Sequence, residues 1–543
     1  GRSVVRGFRS RVDGTVQPYA VSLPASFSKD PKDGKKWRTD VVLHGRNSSI
    51  TEVGFLASFN DRSVGDRGYV QIDIFGRGNN AYRWAGETDV LEAIGHFFGS
   101  LQGTGTEKRI DPARVVLRGF SMGGAGSWHL GLHFPDHWCV VGPGAGFSTT
   151  HGYVAGLKNP LPDYQEKCLS IYDAVDYAEN AFDVPIVAYS GSDDPQKAAA
   201  DNVEKRVKSL GLSMTHLIAP GLKHQFPAEW QKKANVLWSQ FADKGRPEYP
   251  AEVRFVTYTL KYNHCDWVEI ISLERHYDKT LVTAKKTAEG FEATTKNVRR
   301  LHLTLEPGAA IEQKVAIDGQ KLSVRPWLDG GGGAHLYLSK SKNGAWRSIL
   351  PQRLVVDLLR RSEKTHGLQG PIDDAFVDAF LCVRGTGKPW HEATGKYAES
   401  TLKQFEADWS KYFRGTLPVK DDVDLTNDDM VNKNLILFGD PASNSILGHV
   451  VDALPIRWTE KEIVLAGKTV SADGHVPVMI YPNPLSPNKY VVLNSGHTFG
   501  AKDLRGTNAL LYPRLGDYAI LRTSEPTQPV IAGLFDEMWK IAE

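Results

Sequence analysis

The sequence predicts a mixed α/β chain with three parts: a mostly parallel sheet wrapped by helices, then a small β-sandwich-like domain, then a second α/β domain. Three observations carry this reading. Between residues 39 and 243, short apolar runs alternate with helical patterns, as a parallel sheet with crossover helices requires. After Gly245-Arg246-Pro247 the pattern changes to residue-by-residue alternation, as in Val253-Arg254-Phe255-Val256-Thr257-Tyr258 and Leu301-His302-Leu303-Thr304-Leu305, the mark of half-buried antiparallel strands. Beyond residue 350, the short apolar runs Leu435-Ile436-Leu437-Phe438 and Tyr490-Val491-Val492-Leu493 return, beside a helical pattern over 394–413. A chain of 543 residues is too long for one core and suggests about three domains, set at 1–245, 246–350 and 351–543.

In the first domain the apolar runs place strands at 40–43, 69–75, 115–118, 185–190 and 214–219. Helices are expected at 86–102, 124–134, 196–210 and 228–242. Each long crossover returns the chain in the same direction, so the strand ends all face one edge, where ligands bind in such sheets. In the second domain, Asp318-Gly319 and Asn343-Gly344 are hairpin-turn signals.

Composition excludes several function classes. With 65 Lys plus Arg against 63 Asp plus Glu, no broad basic field exists to hold nucleic acid. No apolar run is long enough to span a membrane. Cys139, Cys168, Cys265 and Cys382 have no metal-ligand spacing, so no metal is expected, and no phosphate-cradle spacing calls for a nucleotide cofactor. The chain starts at Gly1, compatible with a secreted or periplasmic protein whose leader has been removed. Oligomeric state has no signature here.

The chemistry concentrates around Gly119-Phe120-Ser121-Met122-Gly123-Gly124. This G-x-S-x-G pattern follows the strand run Val115-Val116-Leu117 and precedes a helical stretch, so strand, sharp turn and helix expose Ser121 at the sheet edge. A serine hydroxyl needs a general base to take its proton during attack. His224, in Pro220-Gly221-Leu222-Lys223-His224-Gln225, follows the last expected strand and reaches the same edge. A carboxylate must orient the imidazole, and Ser190-Gly191-Ser192-Asp193-Asp194-Pro195 offers two adjacent candidates. For the oxyanion, one donor is expected from the backbone of Met122, and a second from Gly45 or Arg46 in His44-Gly45-Arg46-Asn47.

These residues together resemble the catalytic domain of prolyl-oligopeptidase-type α/β-hydrolases, close to their esterase members. The motifs are Leu43-His44-Gly45-Arg46, Asp111-Pro112-Ala113-Arg114 leading into the Ser121 turn, Gly191-Ser192-Asp193-Asp194 and the His224 loop, over about residues 15–243. The resemblance implies a triad of Ser121, Asp194 and His224, the acid being the last residue of G-x-x-D. It also implies a β-propeller in oligopeptidases proper, for which only about forty residues precede His44. An ester, small or polymer-linked, is therefore the expected substrate of a serine esterase; a serine peptidase and an inert scaffold with a hydrolase fold are the alternatives. Arg77, Asn79, Tyr82 and Trp84, in the glycine-rich loop after strand 69–75, are the candidates for lining the substrate pocket.

Overall fold

Alternating valine-rich runs and helices build an eight-stranded sheet in a computed structural model, which describes residues 1–28, 36–47, 49–361 and 363–542. Its strands are β1 (Arg2–Arg9), β2 (Val16–Leu23), β3 (Trp37–Leu43), β4 (Tyr69–Ile74), β5 (Ile110–Phe120), β6 (Val140–Gly144), β7 (Val187–Gly191) and β8 (Thr215–Ala219). They lie in the order β1-β2-β4-β3-β5-β6-β7-β8. β3 to β8 run parallel, whereas β1 and β2 form an antiparallel hairpin added beside β4. This is the α/β-hydrolase fold. The helices are α1 (Glu52–Phe59), α2 (Ala85–Gly99), α3 (Met122–His133), α4 (Asp163–Leu169), α5 (Lys197–Ser209) and α6 (Ala228–Lys244).

Successive residues of a strand point to opposite faces, and each face has its own core. Val115, Leu117 and Val141 pack with Val90, Ala93 and Phe97 of α2 and Ala125 and Leu130 of α3. Val116, Val140 and Val187 pack on the other side with Ala234, Trp238 and Ala242 of α6. Three strands have no counterpart in the apolar-run analysis. β1 and β2 are short-period segments broken by Gly7 and Pro18, and β6 reads Val-Val-Gly-Pro-Gly, whose turn-forming residues mask a strand buried between β5 and β7.

Two antiparallel-rich sheets spanning residues 252–348 face each other over a core that includes Phe255, Trp267, Ile270, Leu301 and Leu338. Asp318-Gly319 joins Gln313–Ile317 to Gln320–Val324 with Ile317 opposite Gln320, both turn residues having positive φ, the geometry of a two-residue hairpin turn. The final α/β unit holds a seven-stranded sheet in which Val419–Asp421, Phe380–Arg384, Asn434–Phe438 and Ser486–Leu493 are parallel. The helix Glu392–Tyr412 flanks it. One continuous apolar core joins this unit to the hydrolase sheet, running from Trp84, Trp128 and Tyr172 through Tyr262 to Phe376, Phe405 and Trp409. All four cysteines are buried and unpaired. Among the described residues no helix is long and apolar enough to cross a membrane.

Candidate active site

β5 ends at Phe120 and α3 begins at Met122, so Ser121 alone must turn the chain. It does so at φ 61° and ψ −121°, a conformation costing a non-glycine residue on the order of 1–3 kcal/mol. Close packing holds it there. A Cβ on Gly123 would stand 2.0 Å from the Leu43 carbonyl oxygen, and one on Gly119 would stand 2.4 Å from that of Gly123. Those glycines let the elbow, β3 and α3 approach one another, and the Ser121 N–H donates to the Gly144 carbonyl (2.8 Å).

His224 follows β8 on a loop braced by the Tyr189 hydroxyl, which donates to the Gln225 carbonyl (2.7 Å). Its ring lies against Phe120, centroids 4.7 Å apart. Nε2 is 2.8 Å from Ser121 Oγ and Nδ1 is 2.7 Å from Asp194 Oδ2. Asp194 is only 2% exposed, while His224 is 37% exposed. The other Asp194 oxygen accepts the Gln196 N–H (2.9 Å), which fixes the carboxylate plane. Its neighbour Asp193 turns to solvent and accepts from the Ser192 hydroxyl (2.7 Å). The geometry therefore brings Ser121, His224 and Asp194 together and leaves Asp193 aside.

The loop after β3 lies against Ser121: a Cβ on Gly45 would sit 3.6 Å from the Ser121 Cβ. The Arg46 N–H has no acceptor among the described residues. Met122 opens α3, so its N–H has none within the helix.

Beside Ser121 lies a cavity of about 260 Å³. Met122, Gly146, Phe147, Tyr153 and Gln196 form its inner wall, and Arg505, Gly506, Thr507 and Asn508 of the final α/β unit close it with Arg46. Two roomier cavities, 440 and 620 Å³, lie in the final α/β unit, and neither touches Ser121, Asp194 or His224.

The glycine-rich loop after β4 does not line this cavity, a correction to its assignment from sequence. Arg77 is fully buried, pairing with Asp13 (2.7 Å) and Asp89 (3.1 Å) and donating to the Phe413 carbonyl (3.2 Å). Tyr82 is buried, its hydroxyl donating to the His44 carbonyl (3.2 Å). Trp84 is buried under the final unit, its indole N–H donating to the Leu511 carbonyl (3.3 Å). Asn79 braces the loop after β3 by donating to the Asn47 carbonyl (2.6 Å). The loop does reach the expected sheet edge, but the final unit sits on it. Conversely, Phe147, Tyr153, Gln196 and the 505–508 segment carry no local sequence signal; only β6, hidden by its Gly-Pro composition, pointed to Phe147.

Among groups able to hold a metal, Asp201, Glu204 and His216 come together. Lys197 and Lys208 already pair with the two carboxylates, and His216 Nε2 meets Ser190 Oγ (3.0 Å), so ion pairing accounts for the cluster.

No protein-family model and no curated protein matches the chain. Among solved structures, it is similar to an S-formylglutathione hydrolase from Staphylococcus aureus, at 14% identity over 44% of this chain and 98% of that one, TM-score 0.32. A ferulic acid esterase matches at 18% identity over 45% and 96%, TM-score 0.31. A puromycin-hydrolyzing peptidase from Mycobacterium tuberculosis matches at 21% identity over 44% and 38%, TM-score 0.29.

Proposed function

We propose that this protein is a serine hydrolase that cleaves carboxylic esters through an acyl-enzyme intermediate. The observation that carries the reading is the hydrogen-bonded line from Asp194 Oδ2 through His224 to Ser121 Oγ, with Ser121 on a strained elbow at the sheet edge. In the first step Ser121 Oγ attacks the ester carbonyl carbon while His224 Nε2 takes its proton, and Asp194 stabilises the imidazolium. The N–H groups of Met122 and of Arg46 or Gly45 receive the oxyanion, each donor being worth roughly 3 kcal/mol. The imidazolium then protonates the departing alcohol. Water, deprotonated by His224, attacks the acyl-enzyme and restores Ser121.

The cavity beside Ser121 limits the size of the group it holds, whether the scissile bond is an ester or an amide. At about 260 Å³ it falls below the usual ligand-pocket range of about 300–1,000 Å³, room for a ring or a short chain. The final α/β unit forms one wall of that cavity, so the substrate site draws on two parts of the chain while the catalytic groups come from the first. Turnover of 4-nitrophenyl esters, without turnover of aminoacyl-4-nitroanilides, is the expected result. The converse would replace the esterase reading with a peptidase, and inertness toward both would favour a scaffold.

A further inference from the structure

The cavity beside Ser121 carries a charge asymmetry that the triad chemistry does not use. Arg46 and Arg505 both line it, and among the described residues no carboxylate does. Arg46 donates to Asn508 Oδ1 (3.1 Å) and to the Arg505 carbonyl (3.0 Å). Both acceptors are neutral, so they fix the guanidinium without cancelling its charge. Among the described residues, Arg505 commits only Nε, to the Ala501 carbonyl (3.3 Å). Four buried or partly buried arginines elsewhere in the fold differ: Arg38, Arg77, Arg118 and Arg254 each meet a carboxylate.

Other charges around the cavity leave the asymmetry in place. Arg83 lies behind Phe147, 5.2 Å from its ring centroid, and donates to the carbonyls of Asn508, Leu511 and Tyr172, with Asp173 facing it. Asp194 is committed to His224. Asp408, on the helix Glu392–Tyr412, lies close enough to Arg505 for their charges to interact and offsets part of its field. The apolar wall is the ring pair Phe147 and Tyr153, 4.9 Å apart.

We propose that Arg505, with Arg46, selects esters whose cavity-bound group carries a carboxylate, which deepens and rests on the ester-hydrolase reading. A guanidinium presents its N–H groups in a planar fork that matches a carboxylate. The volume of about 260 Å³ suits a ring or short chain ending in the anion. The device sits on the short helix Ala501–Arg505, so the final α/β unit sets specificity while the hydrolase sheet supplies the chemistry.

Two matched substrate pairs test this on the full chain. The 4-nitrophenyl monoester of glutarate against its methyl-capped form places the anion on the acyl side; 4-acetoxybenzoate against its methyl ester places it on the alcohol side. In at least one pair the anionic member is expected to have the higher kcat/KM, by about tenfold, as one charge-assisted hydrogen bond supplies. Arg505→Glu is expected to bring that ratio below one, and Arg505→Lys to retain most of it. Added salt should compress the ratio. Turnover of the neutral member by Arg505→Glu reports an intact triad; if that variant is inactive on both, Arg505→Gln is read instead. A wild-type ratio at or below one in both pairs, or an unchanged ratio in these variants, overturns the inference alone. No turnover of any of the four esters, with no fluorophosphonate labelling of Ser121, removes the hydrolase reading and this inference with it.

Discussion

Replacing Asp194 with Asn should nearly abolish turnover without unfolding the protein, because of how its two oxygens are used. Oδ1 accepts the Gln196 N–H (2.9 Å) and Oδ2 faces His224 Nδ1 (2.7 Å). In the Asn variant one of these positions becomes an amine. Turning the amine toward Gln196 would set two donors against each other at a buried site, at about 1–3 kcal/mol. The amine therefore faces His224 and donates to Nδ1, which moves the ring proton to Nε2. That nitrogen can then no longer accept from Ser121. A wrong tautomer of this kind lowers kcat by about 10⁴ where it has been measured in a serine protease, or ~5 kcal/mol. Asp193→Asn, at an exposed side chain bonded to Ser192, should stay within about threefold, as surface substitutions usually do. The assay is kcat on one 4-nitrophenyl ester, with thermal melts to show that both variants fold. A loss under tenfold for Asp194→Asn, or the reverse ranking of the two variants, would refute the argument.

Two further predictions concern buried charges of the hydrolase domain at its contacts with the units that follow. Arg77→Met strips the buried Asp13 and Asp89 of their cation and should cost about 3–5 kcal/mol in urea unfolding; a loss below about 1 kcal/mol would show that the pairs are not stabilising in this way. Glu87 is buried against Lys261 (3.0 Å), His129 (2.7 Å) and the Tyr262 hydroxyl (2.7 Å). Burial alone would raise its pKa, but the Lys261 charge and these bonds outweigh that and lower it from 4.5 to about 2. A lowered folded-state pKa contributes stability that is present above pH 4.5 and lost as pH falls toward 2. Glu87→Gln should therefore lower Tm at pH 7 by more than at pH 3, and a gap that does not narrow on acidification would contradict the assignment.

The hydrogen-bonded line from Asp194 through His224 to Ser121 was legible because its signals are local. The Ser121 elbow declares itself by glycines that close packing demands, and Asp194 and His224 each follow a strand whose apolar run is plain. The choice between Asp193 and Asp194 was not local: it depends on which side chain turns inward beneath the His224 loop, and the G-x-x-D resemblance supplied it. The antiparallel domain was legible from alternation and from Asp318-Gly319. Legibility failed where distant segments meet. Nothing near Arg505 marks a residue that closes a cavity around Ser121, and nothing near Arg77 or Trp84 announces that Phe413 and Leu511 will bury them. Composition also hid β6, since Gly142, Pro143 and Gly144 read as a turn although they pair in register beside β5.

The measurement that tests the account most directly is covalent labelling of the full chain with a fluorophosphonate, followed by peptide mass spectrometry. The geometry predicts a single adduct on Ser121 Oγ, because that hydroxyl meets a partly exposed base held by a buried acid, whereas Ser190, which meets His216 (3.0 Å), is itself buried. Ser121→Ala should lose both the adduct and ester turnover, kcat falling by at least about 10⁴. Labelling and turnover that persist in Ser121→Ala, or an adduct on another residue, would contradict the account.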